Sequence, residues 1–506
     1  MAAIITEKFR LNNAKQFVED ISQTTPGAYT FIGRGHSWTD DATPPTPVDS
    51  PNDEFDAYRN MVALKKISPS DVSHAIVRRD WTTGTTYDEY RHNYSSSNTA
   101  TSGATTLWDS LYYVVTDDYN VYKCISNGTG VLGGTTAAAS TQKPDHTSNS
   151  TLTLESDGYV WWYMYSIPAS DVIKFVTNDF MPIKTLGAKL AVNGGVDNAA
   201  GDQDGGLGDA AADNGSAQWD VENAAVDGDI KKARIAAAGS GYTASTTTAG
   251  IVIRGDGDLT GRCTVITSGS GTVGSVQITT AGTGYSYAYI ANNDIPGFDN
   301  DNQPADGTNA SANIEFMISP KHGHGADPIE ELGGNYVILN SRLEYAEGSG
   351  DFPTDNDFRQ IGVVVNPTQV NGALMDAATA KAYKTMTFDS ASFVAPTVDT
   401  FIRNASTETK ASAKGVVVSV DSTLRIISFL PYPNEAGNFV AFADNDSIFG
   451  APTAASTAST AHGTIDGAPA AEEVLRHSGD IIYLENRGAV SRASDQIEDI
   501  KLIVEM

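Results

Sequence analysis

At 506 residues the chain is long enough for about three domains of ordinary size. It is rich in small, turn-forming residues, 47 of them glycine, and only 19% of it is charged, a profile that favours β structure with many loops. A formal net charge of -29 excludes the cationic face that displaces counterions from a nucleic acid, and no stretch approaches the run of about eighteen apolar residues that a membrane span needs.

The acidity is read as a source of solubility and of mutual repulsion between free monomers. Cys124 and Cys263 lie far apart without metal-ligand spacing and are expected to be buried, neutral thiols. The N-terminal stretch reaches charge by Glu7 and has no apolar core of signal-peptide length, so synthesis and folding in the cytoplasm are expected.

In chain order, Asn12 or Asn13 caps an expected helix with Ala14, Phe17, Val18 and Ile21 on one face, stopped by Pro26-Gly27. A strand over 29–32 follows. The prolines of 42–48 then fix an extended arm, because each sets its own φ and disfavours helix in the residue before it. Ser50-Pro51-Asn52-Asp53 has the form of a capping box opening a helix whose buried stripe is Phe55, Tyr58 and Val62. Ser68-Pro69-Ser70-Asp71 repeats that signal ahead of Ala75-Ile76-Val77-Arg78-Arg79-Asp80-Trp81. Residues 111–125 alternate around Thr-Asp-Asp-Tyr-Asn as a β-hairpin, and 158–165 form an aromatic strand ending at Pro168.

Near residue 186 the text changes. Residues 193–215 hold almost no large apolar side chains and cannot fold alone. A repeat follows: Ile235-Ala-Ala-Ala-Gly-Ser-Gly-Tyr-Thr243 returns as Ile278-Thr-Thr-Ala-Gly-Thr-Gly-Tyr-Ser286, with β segments at 251–253 and 263–266 between the copies. Two such units make a small sandwich or barrel in which Tyr242 and Tyr285 hold equivalent places. Core-like text resumes at 336–339 and 361–367. Residues 414–428 read as two strands around Asp421-Ser422-Thr423, and 451–470 as disordered text. The chain closes with a polar turn over 476–479, a strand over 481–484, a charged elbow at Glu485-Asn486-Arg487, and an alternating strand over 500–504 that needs a sheet to dock in.

The expected fold is therefore mainly β (β-rich α+β), one core interrupted twice. Residues 1–185 are the N-terminal part of that core, 186–335 an inserted Gly-rich β module with an internal repeat, and 336–369 the core's return. Residues 370–472 are a second inserted β-rich module, and 473–506 are C-terminal strands completing the core.

Chemistry is sparse. Gly35-His36-Ser37-Trp38-Thr39 starts like a nucleophile elbow, but Thr39 stands where the cramped turn needs glycine. His322 and His324, with Asp327, are the best metal-ligand candidates, and they rest on an unspecific His-x-His pair. The acidic runs 202–209 and 299–302 lack calcium-loop spacing, and a β-turn accounts for Arg254-Gly255-Asp256. Arginine is scarce, so Arg78 and Arg79 beside Asp80 and Trp81, and Arg476 and Arg487, are expected to pair with buried or interfacial carboxylates. Nothing assembles a nucleophile, base and orienting group, so no catalysis and no cofactor are expected.

Five stretches resemble one family in order: Phe31-Ile-Gly-Arg34 with Trp38 and Pro44-Pro45-x-Pro47-x-Asp49-Ser50; Arg78-Arg79-Asp80-Trp81 with Tyr87 and Tyr90; Asp157 to Trp161 with Ile167-Pro168; Phe358-Arg359-Gln360-Ile361 to Asn366-Pro367; and Arg476-His477-Ser478-Gly479 to Glu485-Asn486-Arg487 with Asp495-Gln496. The chain resembles the baseplate wedge subunit, the eighth-gene product, of T-even-type contractile-tailed phages, over roughly residues 1–185, 336–368 and 474–506. The resemblance implies a layered β-sandwich core with helices in its side loops, a homodimer, other baseplate wedge proteins as partners, and a place in the virion tail after assembly in the host cytoplasm. It implies structural or interface roles for Arg78, Arg79, Asp80, Trp81, Arg359, Arg476, His477, Glu485, Asn486 and Arg487. The two insertions depart from the family. They leave open an alternative, a receptor- or glycan-binding tail module presenting Tyr242 and Tyr285. A metal-dependent hydrolase rests on His322 and His324 alone.

Overall fold

The computed structural model describes residues 4–22, 27–128, 137–147, 152–188, 214–298, 310–344, 352–390, 392–456, 459–493 and 496–506. Pro26, most of 193–215, the acidic runs 202–209 and 299–302, and Asp495 lie outside the described residues. The chain is mainly β, built of antiparallel sheets. It forms two compact units, one of residues 1–16, 73–338 and 503–506, the other of 17–72 and 339–502. Among the described residues no helix is long and apolar enough to cross a membrane.

In the first unit, the expected hairpin is present as Tyr113–Val115 against Asn120–Ser126, with Tyr113 opposite Lys123. Val160–Ser166 joins its other side and Thr153–Leu154 closes the sheet. Residues 160 to 165 are all buried, which is why this strand reads as a continuous aromatic run and not as an alternation. Tyr159 stacks on Trp161 at 5.4 Å, and Tyr87 meets the same indole edge-on at 5.5 Å. The helix Pro328–Leu332 packs Ile329 and Leu332 into this aromatic core. Asp327 caps the helix by accepting from Glu330 N at 3.1 Å, and Gly333 ends it at φ 74, where a β-carbon would meet Trp108.

The repeat-bearing stretch folds on a core of its own. Ile230–Ala237 pairs with Asn313–Ile318, and Thr247–Val252, Arg262–Thr267 and Val273–Thr280 form a three-stranded sheet. The two copies share their conformation: Gly239 and Gly241 at φ 64 and 90, Gly282 and Gly284 at φ 66 and 74. Tyr242 and Tyr285 do hold equivalent places, but inside, at 4% and 3% exposure. Tyr242 stacks on Phe298 at 5.2 Å, and Tyr285 Oη donates to Ile253 O at 3.0 Å. Buried in this way, neither ring is displayed on the surface.

The second unit holds a five-stranded sheet in the order Thr379–Lys381, Met61–Lys66, Ala28–Gly33, Asn356–Val365, Asp480–Arg492. Ala28–Gly33 is buried throughout, as a central strand should be. Gly362 lies opposite Phe31, and a β-carbon there would sit 2.3 Å from the Phe31 ring. A six-stranded sheet contains Lys414–Asp421 and Ile426–Tyr432, the pair expected around Asp421, whose Oδ1 accepts from Thr423 N and Leu424 N at 2.9 Å.

Several local expectations are corrected. The first helix runs Glu7–Ser22 and starts earlier than Asn12, because Thr6 Oγ1 accepts from Phe9 N at 3.3 Å and caps it there. The helix Pro51–Asn60 is capped by Ser50 as expected, but Phe55 is 54% exposed, Ala57 and Tyr58 are the buried face, and Val62 belongs to the next strand. The charged elbow is absent: Asp480–Arg492 is one strand at the sheet's edge, where Glu485 and Arg487 can face water. Within 451–470, Thr460–Thr464 is a strand paired with Ser447–Ala451, so that tract is not structureless.

Candidate functional site

Among the described residues of the second unit, a polar constellation is built on Arg359. Between Phe358 and Gln360 the register against Asp480–Arg492 shifts, leaving Arg359 in a bulge. A bulge frees a residue from the ladder and re-aims its side chain. At 3% exposure Arg359 donates from Nε to Asp41 Oδ1 and Oδ2 at 3.1 and 3.0 Å, and from Nη2 to Asp41 Oδ2 at 2.8 Å and Asp357 Oδ2 at 3.0 Å. Nη1 donates to the carbonyl of Gly35. Burial opposes the charged form, yet Asp41 and Asp357 outweigh it and hold the guanidinium above its usual range. Asp41 in turn is held low, first by its bond from Arg359.

This arginine organises the loop 34–41. Arg34, at φ 56, lies 3.6 Å over the Trp38 ring. Trp38 N donates to Asp41 Oδ1 at 2.8 Å, and its Nε1 to the carbonyl of Arg487 at 2.8 Å. Asn486 bridges the same strands: Gln360 Nε2 donates to its Oδ1 and its Nδ2 to Pro45 O, each at 2.9 Å. Three motif stretches far apart in sequence thus converge on one place. His36 is turned into the rings of Phe401 and Tyr432, and burial pushes its imidazole down to about 3, so it does not activate Ser37. Beneath the loop, Asp399 sits at φ 64, its Oδ2 accepting from Asp357 N at 3.0 Å. Burial, and then the charge of Asp357, push its carboxyl up to about 7.

The other candidates differ in kind. Glu485 and Arg487 pair with each other at 3.1 Å, side chains 35% and 47% exposed, so Arg487 holds Trp38 of the loop 34–41 through its carbonyl and not its charge. Arg476 is half-buried, which lowers it, with Glu472 compensating. His477, exposed at φ 63, meets Phe55 and Tyr58 edge-on at 5.3 and 5.4 Å. In the first unit, Arg79 lies 4.3 Å over the Tyr113 ring and donates to the carbonyls of Ser110 and Trp108, the latter at 3.1 Å. Arg78 bonds Asp80 at 2.9 Å and Thr177 O at 3.0 Å, and Trp81 Nε1 donates to Ser140 Oγ at 3.1 Å. Of these four, Arg79 lies directly against the first strand of the aromatic sheet, through Tyr113.

The metal candidates do not converge. Asp327 caps its helix and takes Lys15 at 3.3 Å, His322 N donates to Asp227 at 2.7 Å, and His324 is buried against Lys123. Among the described residues no three metal-ligating side chains lie together. Cys124 and Cys263 are free and buried, and burial pushes the Cys263 thiol up to about 12. Lys123 and Lys232, each at 0% exposure, escape sequence reasoning. The signal available was a single cation inside an otherwise apolar strand, Val121-Tyr122-Lys123-Cys124-Ile125.

Residues 3–131 match the family described as Bacteriophage T4, Gp8. The baseplate wedge protein gp8 of Enterobacteria phage T4 is 29% identical over 209 residues, covering 36% of this chain and 60% of that protein. The match thus spans less than two thirds of the relative's length. Both comparisons bear out the resemblance carried by Phe31–Arg34, Trp38 and Arg78–Trp81: the chain is similar to the baseplate wedge subunits of T-even-type contractile-tailed phages.

Proposed function

We propose that the protein is a structural wedge subunit of a contractile phage tail baseplate, that it forms a homodimer, and that it binds other wedge proteins during tail assembly in the host cytoplasm. The likeness to the T4 wedge protein supports this reading. The observation that carries it is the convergence of the Phe31–Trp38, Phe358–Gln360 and Glu485–Arg487 motifs on the buried Arg359, which gives scattered family residues one shared structural task. The reading assigns the protein no turnover of a substrate. Ser37, the one nucleophile of the sequence motif, is exposed and lies 3.4 Å from Arg359 Nη2. The glycan-binding alternative loses its two residues, since Tyr242 and Tyr285 are core.

The test is sedimentation of the purified chain, alone and after co-expression with the wedge subunits of its own phage. A dimer that shifts into a larger complex is expected. A dispersed monomer that captures none of them overturns the reading.

A further inference from the structure

Among the described residues of the unit that contains residues 73–338, Lys123 and Lys232 are wholly enclosed, and their surroundings differ in a way that matters chemically. Lys232 bonds Glu89 and donates to Ser126 Oγ at 2.9 Å, while Arg91 holds the same carboxylate at 2.8 Å. Burial opposes ionisation of Glu89, but two cations keep it below its usual range. Glu89 therefore stays ionised.

Among the described residues, the carboxylate that Lys123 meets, Glu331, pairs with no second cation. Its Nζ contacts Glu331 Oε2, with the two side chains 0% and 2% exposed. On the other side of Nζ, His324 Nδ1 stands at 2.7 Å. The second oxygen of Glu331, Oε1, accepts from the backbone N–H of Gly325. Tyr90 walls the site, its ring centroid 5.0 Å from Nζ and 5.0 Å from the His324 ring. The arrangement holds an amine against a carboxyl, with a base on the amine and a fixed donor on the oxygen where negative charge would develop.

We propose that Lys123 and Glu331 condense within the folded protein into an amide that cross-links the Asn120–Ser126 strand to the Pro328–Leu332 helix. The amine lone pair attacks Cδ of the protonated Glu331 carboxyl, forming the Nζ–Cδ bond and placing charge on Oε1 under the Gly325 N–H. His324 takes a proton from the attacking nitrogen and passes it to Oε2. The Cδ–Oε2 bond breaks and water leaves, so one amine and one acid become one amide and one water, and His324 ends neutral as it began. No oxidant, reductant or further reactant enters.

The electrostatics point the same way. Burial lowers Lys123 and raises Glu331, towards the neutral amine and acid that the step consumes. Burial, and then Lys123, keep His324 far below its usual value and therefore in its basic form. An enclosed ion pair is costly to desolvate, whereas an amide in the same place carries no net charge. The inference is independent of the wedge reading: it concerns this chain's own interior and extends a tie across 208 positions of sequence.

Intact-mass measurement of the purified full-length chain, followed by peptide mapping, tests it. The expected result is a mass one water below that of the sequence, a branched peptide joining the Lys123 and Glu331 segments, and loss of both in Lys123→Arg. Recovery of the two segments as separate linear peptides, with the full sequence mass, overturns the proposal. So does a water loss that persists in Lys123→Arg.

Discussion

Replacing Arg359 with alanine should release the loop 34–41 while leaving the strands beneath it paired. Breaking a buried ion pair from one side costs about 3–5 kcal/mol, because a charge is left without its partner. Here the abandoned carboxylates, Asp41 and Asp357, are 33% and 26% exposed at the side chain, so water takes over part of their solvation. The lower end, about 3 kcal/mol, is therefore the working figure, and it equals roughly a hundredfold in an opening equilibrium. A chain of this size need not unfold in one step, so a local probe is preferable. The backbone amide of Trp38 is one, since it donates to Asp41 Oδ1 and its protection depends on Asp41 staying in place. Hydrogen exchange of that segment should accelerate by about two orders of magnitude in Arg359→Ala. Arg359→Lys should recover little, because a point charge cannot reproduce the forked contact with Asp41 and Asp357. Unchanged exchange at Trp38 in Arg359→Ala would refute the assignment of Arg359 as the anchor.

Two further outcomes follow from neighbouring groups. Arg487→Ala should lower stability by no more than about 1 kcal/mol, since its exposed pair with Glu485 is of the weak kind; a larger loss in denaturation would show that the side chain does more than that pair. Asp399 is raised from 3.8 to about 7 in the folded chain, so its stabilising contribution is full below pH 4 and is lost as pH rises through about 7. Asp399→Asn should therefore raise the melting temperature at pH 8 and change it little at pH 4, and an equal effect at both would contradict the raised carboxyl.

Features legible in the sequence are those set within a few residues. The hairpin at 113–126 carries its own turn, and the Ser50 cap sits beside the helix it starts. Features set by distant partners were harder. Arg359 stood out only through the family pattern, because Asp41 lies 318 positions away. Lys123 and Lys232 meet carboxylates 208 and 143 positions distant, and a lysine in a strand has several readings until its partner is known. Glu485 and Arg487 suggested a turn because charge usually breaks a buried strand, but an edge strand tolerates it. The repeat predicts equivalent places for Tyr242 and Tyr285, but whether a ring faces in or out depends on its partners, here Phe298 and the carbonyl of Ile253.

The threading of the second unit has a consequence for synthesis. Its central strand, Ala28–Gly33, is among the first parts of the chain to be made, yet it hydrogen-bonds Asn356–Val365, which in turn pairs with Asp480–Arg492 near the end. At about 5–20 residues per second a ribosome needs on the order of half a minute to bridge the interval. Throughout that time the nascent Tyr29-Thr30-Phe31-Ile32 edge has Met61–Lys66 on one side and nothing of its own chain for the other. The repeat-bearing stretch from 214 to 318 emerges meanwhile with all its strand partners local. A chain released before Asp480 would thus carry a sheet whose open edge invites pairing with other chains.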